Sequence, residues 1–340
     1  MVTGFHPGNT PVVSFGEAML RLTPPRFERL ERTASLDISP GGAELNSAVT
    51  VAALGVPARW VSVLPDNPLG RNLARTALAH GVDLAGVRWV SEETGRMGLY
   101  FLEEGTDPRP SAVTYDRADS AFARMAPGTF DWPALLAGAG ALHVSGITPA
   151  VGDGPRAETM AAIRAANQLG VPVAFDLNYR SKLWSESAAR ACFVEIVPLV
   201  DVLFASRGGL RTFFGLEGDH AEVLNAARER LGLSVTVLSR KKGKTSREVR
   251  LGSVSMGPDG AIHEGPWREV EVVDRLGGGD AFAGGFLAAY SQNPADLPRA
   301  IALGSAAQAL KHTMPGDFLG ATKAEIEAAV DATEGGVLQR

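Results

Sequence analysis

The sequence predicts an α/β protein: a central, mostly parallel sheet flanked by helices, with a small β-sheet projecting from it as a lid. Three observations carry that expectation. Short, continuously apolar runs alternate with helical segments over most of the chain, as parallel strands buried on both faces require. Residues 96–117 instead set Met97, Leu99 and Phe101 against Gly98, Tyr100 and Leu102, the two-residue period of a hairpin outside such a core. Finally, 340 residues, 45% hydrophobic and 21% charged, suffice for one large core with a smaller attachment.

The elements follow in order. Val12 to Phe15 is a short apolar strand ending at Gly16-Glu17. From Leu20 to Asp37 the chain turns polar, with Pro24-Pro25, and reads as exposed strand and loop leaving the core. Gly41-Gly42 precedes a packed helix, 43–54, in which Leu45, Val49 and Leu54 recur among alanines and Gly55 caps the end. Strand 59–64 and helix 69–80 come next, the helix stopped by Gly81. The hairpin of 96–117 turns at Gly105 to Pro110, and Val113 and Tyr115 continue its alternation. Short apolar runs then recur as buried strands at Ala141 to Val144, Val171 to Leu177, Val202 to Ala205 and Val235 to Leu238, separated by helices 155–169, 185–198 and 219–231. The core is therefore expected to be discontinuous, comprising 11–17, 39–95 and 119–330. Residues 18–38 and 96–118 would form the lid, and 1–10 and 331–340 flexible termini.

Composition removes several functions. A net charge of −5 gives no electrostatic reason to bind nucleic acid or an anionic membrane. Cys192 is the only cysteine, so intrachain disulfides and cysteine zinc sites are excluded; its apolar helical setting makes it a buried small hydrophobe. The first ten residues lack the pattern of a secretory signal, and no apolar run reaches about eighteen residues, so a cytoplasmic protein is expected. The histidines show no metal-ligand spacing. Gly243-Lys244-Thr245 resembles the tail of a phosphate-binding loop, but Leu238 stands where its first glycine belongs, so it reads as a basic turn. Gly138-Ala139-Gly140 fails as a dinucleotide fingerprint because His143 replaces the third glycine.

In an open α/β sheet ligands bind beyond the carboxyl ends of the strands, and the residues there are unusually chemical. Gly277, Gly278 and Gly279 follow the apolar run Val270 to Val273 and precede a helical segment, Ala281 to Tyr290. A glycine triplet before a helix lets several N–H groups converge with the positive end of the helix dipole behind them, which suits a phosphate or an oxyanion. Asp280 sets a carboxylate opposite. Taken alone, this pattern is equally a helix N-cap. Other strand ends supply Glu17, then Gly41, Gly42, Glu44 and Asn46, then Asp176, Asn178 and Arg180, and finally Asp274; the hairpin adds Tyr100, Tyr115 and Arg117. Two arginines with two tyrosines suit a small, oxygenated anion, since guanidinium meets carboxylate in two parallel hydrogen bonds.

With these residues in place, the chain resembles the ribokinase, or PfkB, family of carbohydrate kinases over roughly residues 11–330. Gly41-Gly42 with Asn46 is similar to the family's sugar-binding signature, and Asp274 to Gly285 to its second signature. Gly-Gly-Ala-Glu-Leu-Asn (41–46), Tyr-Asp-Arg-Ala-Asp-Ser-Ala (115–121), Asp-Leu-Asn-Tyr-Arg-Ser-Lys-Leu-Trp (176–184), Asp-Arg-Leu-Gly-Gly-Gly-Asp (274–280) and Lys-His-Thr-Met-Pro-Gly-Asp (311–317) resemble its kinases of 2-keto-3-deoxygluconate.

The resemblance implies a ribokinase-like fold and ATP-dependent phosphorylation, with Mg²⁺, of the terminal hydroxyl of that sugar acid or its galacto epimer. It implies Asp280 as base and Gly277, Gly278 and Gly279 as anion hole. Substrate contacts would come from Gly41, Gly42, Asn46, Tyr100, Tyr115, Arg117, Asn178, Arg180 and Asp280, with Arg180 at the acid end. Nucleotide contacts would come from Ser206, Ser239, Gly277, Gly279, Gly304, Ala307 and His312. A monovalent cation such as K⁺ near Asp274, and a homo-oligomer formed through the lid, are further implications. One departure stands out: the family's Asn-x-x-Glu is replaced by Ser206-Arg207-Gly208-Gly209, which loses a carboxylate from the metal side. Two other readings stay open, a kinase of the same fold for a neutral sugar such as fructose or ribose, and a catalytically weak sugar-acid sensor.

Overall fold

The computed structural model describes residues 10–243 and 247–332. The expected flexible termini lie outside these residues apart from their inner edges, as does most of the Gly243-Lys244-Thr245 turn. In chain order the elements begin with β1 (Val12–Phe15), β2 (Met19–Thr23), β3 (Asp37–Gly41), α1 (Ala43–Ala53), β4 (Ala58–Pro65), α2 (Pro68–Ala79) and β5 (Val82–Val90). There follow β6 (Leu99–Glu103), β7 (Ala112–Asp116), α3 (Trp132–Leu136), β8 (Ala141–Ser145), α4 (Asp153–Leu169), β9 (Val173–Asp176) and α5 (Glu186–Ile196). The last third holds β10 (Val202–Ser206), α6 (Arg207–Phe214), α7 (His220–Leu231), β11 (Val235–Gly243), β12 (Glu248–Met256), β13 (Ile262–Glu264) and β14 (Arg268–Glu271). Helices α8 (Gly278–Tyr290), α9 (Leu297–His312) and α10 (Lys323–Asp331) close the chain.

Among the described residues, strands β5-β4-β1-β8-β9-β10-β11 run parallel in that order, and β12 adds antiparallel to β11. The parallel strands are the apolar runs of the sequence, and helices cover both faces. One face packs Val12 and Trp60 against Phe286 and Ile301 of α8 and α9; the other packs Phe15, Phe175 and Phe193 with Trp132. Chain order reverses at β1, whose neighbours β4 and β8 lead away in opposite directions, so the crevice of the sheet opens at its carboxyl end.

The second sheet has the order β3-β2-β6-β7, with β2 and β6 parallel and the other pairs antiparallel. The expected hairpin is β6–β7. Strand β3 runs on to Gly41, which pairs with Met19, so the small sheet reaches the glycine turn itself.

Several features differ from the sequence expectation, which assigned no element to α3, β12, β13, α9 or α10. Strand β5 emerges at an edge, where its mixed burial hides any apolar run. Helix α6 occupies a stretch to which no helix was assigned; Ser206 starts it by accepting a hydrogen bond from Gly209 N–H at 3.0 Å. Helix α8 begins at Gly278 rather than Ala281, with Gly277 as its N-cap. And Arg21, within the stretch read as exposed, is only 2% exposed. Gly55 and Gly81 take left-handed φ values of 81° and 80° just past their helices, as expected of helix-ending glycines. Cys192 is buried, which pushes its thiol pKa up to about 11. No helix among the described residues is long and apolar enough to cross a membrane.

Candidate active site

The site assembles where the first turn of α8 meets the first turn of α1. Gly277 sits at φ 78°, a left-handed conformation that costs glycine little. A side chain there would also overlap the Asp317 carbonyl oxygen, so the loop lies directly on the 317 segment. The first α-helical hydrogen bond of α8 runs from Ala281 N–H to the Gly277 carbonyl at 2.8 Å. The N–H groups of Gly278, Gly279 and Asp280 thus have no acceptor within the helix and carry the positive end of its dipole. Space beside Gly279 is open: a Cβ there would meet nothing within 4 Å.

Asp280, at the third position of α8, reaches the other helix. Asn46 Nδ2 donates to Asp280 Oδ2 at 2.7 Å, and Asn46 Oδ1 accepts from Gly42 N–H at 3.3 Å. Ser47 Oγ donates to the Asp280 carbonyl at 3.0 Å. Burial raises the Asp280 pKa to about 7; the Asn46 bond lowers it, Asp176 raises it and Arg180 lowers it. Asp176, at the end of β9, is pushed up to about 6, chiefly by burial. A carboxyl poised near neutral pH beside free helix amides can take a proton from a hydroxyl while an anion is held opposite.

Two cavities flank this turn. One of ≈ 80 Å³ is lined by Gly41, Gly42, Asn46, Tyr100, Arg180 and Asp280, among others. The other, ≈ 380 Å³, is lined by Asn178, Arg180, Ser206, Ser239, Gly279 and Gln308, among others. Arg180 borders both and forms no ion pair among the described residues; its Nη1 donates to the Tyr179 carbonyl at 3.4 Å. Gly41 and Gly42 have no room for a side chain: one at 41 would overlap the Tyr100 hydroxyl, and one at 42 the Glu17 carbonyl. The buried Tyr100 hydroxyl makes no well-formed hydrogen bond. Burial and the neighbouring Asp317 raise its pKa, so the phenol keeps its proton.

Most sequence-selected residues converge here, with qualifications. Arg117 lines the smaller cavity, but its Nε donates to Glu17 Oε2 at 2.9 Å, so its charge already has a partner. Tyr115 is 37% exposed and lies under the Arg117 guanidinium at 5.8 Å. Asn178 takes a positive φ of 32° and donates its N–H to Asp176 Oδ1 at 3.1 Å. Ser206 lines the larger cavity while its hydroxyl caps α6.

Gly304 and Ala307 lie on α9. They are buried on the face of α9 that packs against Phe282 and Gly285 of α8, where small residues let the two helices approach. His312 lies against Gly278, with Nδ1 bonded to the Gln308 carbonyl at 2.8 Å; burial lowers its pKa and keeps it neutral. Asp274 bonds Arg21 at 2.6 Å and the N–H groups of Leu276 and Gly316 at 3.0 Å each. Among the described residues no group of three or more His, Cys, Asp and Glu side chains could hold a metal ion.

Three residues escaped the sequence reading of the site: Asp317, which lines the smaller cavity, Arg21 and the fully buried Lys311. Only the string 311–317 hinted at two of them, since a charged residue carries no mark of burial in its spacing.

This fold and site define a phosphotransferase that places a phosphoryl group on an alcohol of a sugar. The profile described as "pfkB family carbohydrate kinase" matches residues 9–321, and the chain belongs to that family. It is 38% identical over 326 residues to a 2-dehydro-3-deoxygalactonokinase of Haloferax volcanii, covering 96% of this chain and 98% of that one. A 2-dehydro-3-deoxygluconokinase of Thermoproteus tenax is 29% identical over 90% of this chain and 89% of its own length. The crystal structure of a 2-dehydro-3-deoxygluconokinase from Thermotoga maritima superposes with a TM-score of 0.91 at 34% identity, covering 96% of this chain and all of that one.

Proposed function

We propose that this protein transfers the γ-phosphoryl group of ATP to the terminal hydroxyl of 2-keto-3-deoxygluconate or its galacto epimer. The observation that carries the reading is Asp280, pushed up to about 7 and bonded to Asn46, at the mouth of a helix N-terminus between two cavities. The sugar acid would occupy the smaller cavity, with Tyr100 offering its hydroxyl and Arg180 meeting the carboxylate. ATP would occupy the larger one, its γ-phosphate at the amides of Gly278 and Gly279. Asp280 accepts the hydroxyl proton as the oxygen attacks the γ-phosphorus and the bond to the β–γ bridging oxygen breaks to release ADP, and the helix amides offset charge on the phosphoryl oxygens.

Mg²⁺ bound with ATP would supply charge neutralisation at the phosphates. Asp176 and Glu186 line the larger cavity with the hard oxygen donors that suit a hydrated Mg²⁺, and they offer carboxylates in place of the missing Asn-x-x-Glu. Residues 18–38 and 96–118 act as the lid over the sugar. We place the enzyme in the cytoplasm, where ATP is available.

One observation favours a second reading. Because Arg117 is paired with Glu17, Arg180 is the one unpaired cation lining the smaller cavity among the described residues, and a neutral sugar needs no more than that. A coupled ADP-release assay across 2-keto-3-deoxygluconate, its galacto epimer, fructose and ribose, with Mg²⁺ varied, separates the readings. Higher kcat/KM for fructose or ribose than for both acids would overturn the proposal, and tight acid binding without turnover would indicate a sensor.

A further inference from the structure

We propose that Arg21 is a built-in cation that fixes the Asp274–Asp280 loop, so that phosphoryl transfer by this protein needs no bound monovalent ion. The proposal rests on the kinase reading of the site, and its geometry is independent of the sugar.

Arg21 belongs to β2 of the lid sheet, yet its side chain turns inward and is 2% exposed. Nη1 lies 2.6 Å from Asp274 Oδ2 and 3.0 Å from Asp317 Oδ1, and Nε donates to Thr23 Oγ1 at 2.8 Å. These two carboxylates hold the loop from both sides. Asp274 opens it and accepts from Leu276 N–H, directly before Gly277. Asp317 lies beneath it, its carbonyl against Gly277. Asp274 Oδ2 also accepts from Gly316 N–H, so the two segments are stitched together at Arg21.

Two buried carboxylates this close repel each other unless a positive charge sits between them. Burial works against the guanidinium charge, but Asp274 and Asp317 outweigh it and hold the Arg21 pKa above its ordinary value. Lys311, 0% exposed, supplies the second positive charge and donates to the Met314 carbonyl at 3.0 Å. Glu104 Oε1 also lies 3.9 Å from Arg21 Nη2, and Arg26 and Arg247 act on its charge as well, so the carboxylates around Arg21 meet protein cations without an added ion. A K⁺ placed on Asp274 would face a guanidinium at Oδ2 and an amide N–H at Oδ1; the residues present do not fit it.

Arg21 touches no reacting atom and is a positioning residue, so its test reads the loop as well as stability. Wild-type protein would be assayed at constant ionic strength in KCl, NaCl and tetramethylammonium chloride. Equal kcat within about twofold is expected, and stimulation by K⁺ of about tenfold or more overturns the proposal. Arg21→Met leaves the carboxylates unbalanced, so in tetramethylammonium its kcat should fall about 100-fold with little change in sugar KM. Millimolar guanidinium or K⁺ should restore part of that loss, and Arg21→Lys should keep most of the activity; a merely structural role gives neither. Unchanged kcat in Arg21→Met overturns the proposal. If that variant fails to fold, the wild-type salt series decides alone. Thermal melts of wild type in the same salts add a readout free of turnover: a midpoint higher in K⁺ than in tetramethylammonium counts against it, even if no sugar is phosphorylated.

Discussion

Asn46 Nδ2 and Asp280 Oδ2 meet at 2.7 Å across 234 positions of sequence, joining the first turns of α1 and α8. The bond stabilises the ionised carboxylate, while burial and Asp176 destabilise it. Their balance sets the proposed base near neutral pH, where a general base is most effective.

Replacing that carboxylate without changing its shape tests the role directly. Asp280→Asn is expected to lower kcat by about 10² to 10⁴ while leaving sugar affinity nearly unchanged. Calorimetric titration beside a turnover assay measures both. Near-normal turnover in this variant sinks the assignment.

The pH profile gives a second test. Wild-type kcat/KM should rise with pH and level off above about 7, as Asp280 ionises. Asn46→Ala removes a hydrogen bond that favours the charged form, so the acid limb should move to higher pH. An unmoved limb means that another group titrates there.

Stability should move the opposite way. The folded Asp280 carboxyl titrates near 7 against an ordinary 3.8, so the folded state binds its proton more tightly than the unfolded chain. The resulting penalty is absent below about pH 4 and complete above about pH 7. Asp280→Asn should therefore be more stable than wild type at pH 8, by about 1 kcal/mol after allowance for partial exposure, with the gap closing toward pH 4. Denaturant titrations at the two pH values measure it; a constant gap contradicts the linkage.

Neighbouring glycines should respond differently. Gly277→Ala forces a side chain into a left-handed backbone and against the Asp317 carbonyl, with an expected cost of about 2 kcal/mol or more. Gly279→Ala meets open space and should melt like wild type, yet raise the KM for ATP because its methyl stands at the larger cavity. Equal effects in both assays would contradict this division.

Arg180→Gln should raise the KM for a sugar acid by about 10- to 100-fold, the worth of a lost charged hydrogen bond, with a smaller effect on fructose. Equal losses on both sugars would place Arg180 on the phosphate instead.

The parallel strands were legible because burial on both faces leaves an uninterrupted apolar run, as in Val202 to Ala205. Strand β5 lacks that mark because it lies at an edge, and α6 was hidden by Gly208-Gly209, which the Ser206 cap tolerates. Gly277 to Asp280 stood out because a glycine triplet is rare outside a turn that needs it. Arg21 gave no signal, because the aspartates that hold it lie at the far end of the chain, Asp317 being 296 positions away. Gly304 and Ala307 are ambiguous in sequence for another reason: small residues in α9 serve helix packing as readily as ligand access.

The isolation of Cys192 has a practical use. A fully buried thiol pushed up to about 11 is unreactive toward maleimides near neutral pH, so the natural protein behaves as its own cysteine-free background. An Ile38→Cys substitution on the open face of the small sheet would then be the single labelled position, ready to carry a fluorophore. Movement of that sheet on sugar binding becomes measurable in real time without rebuilding the chain.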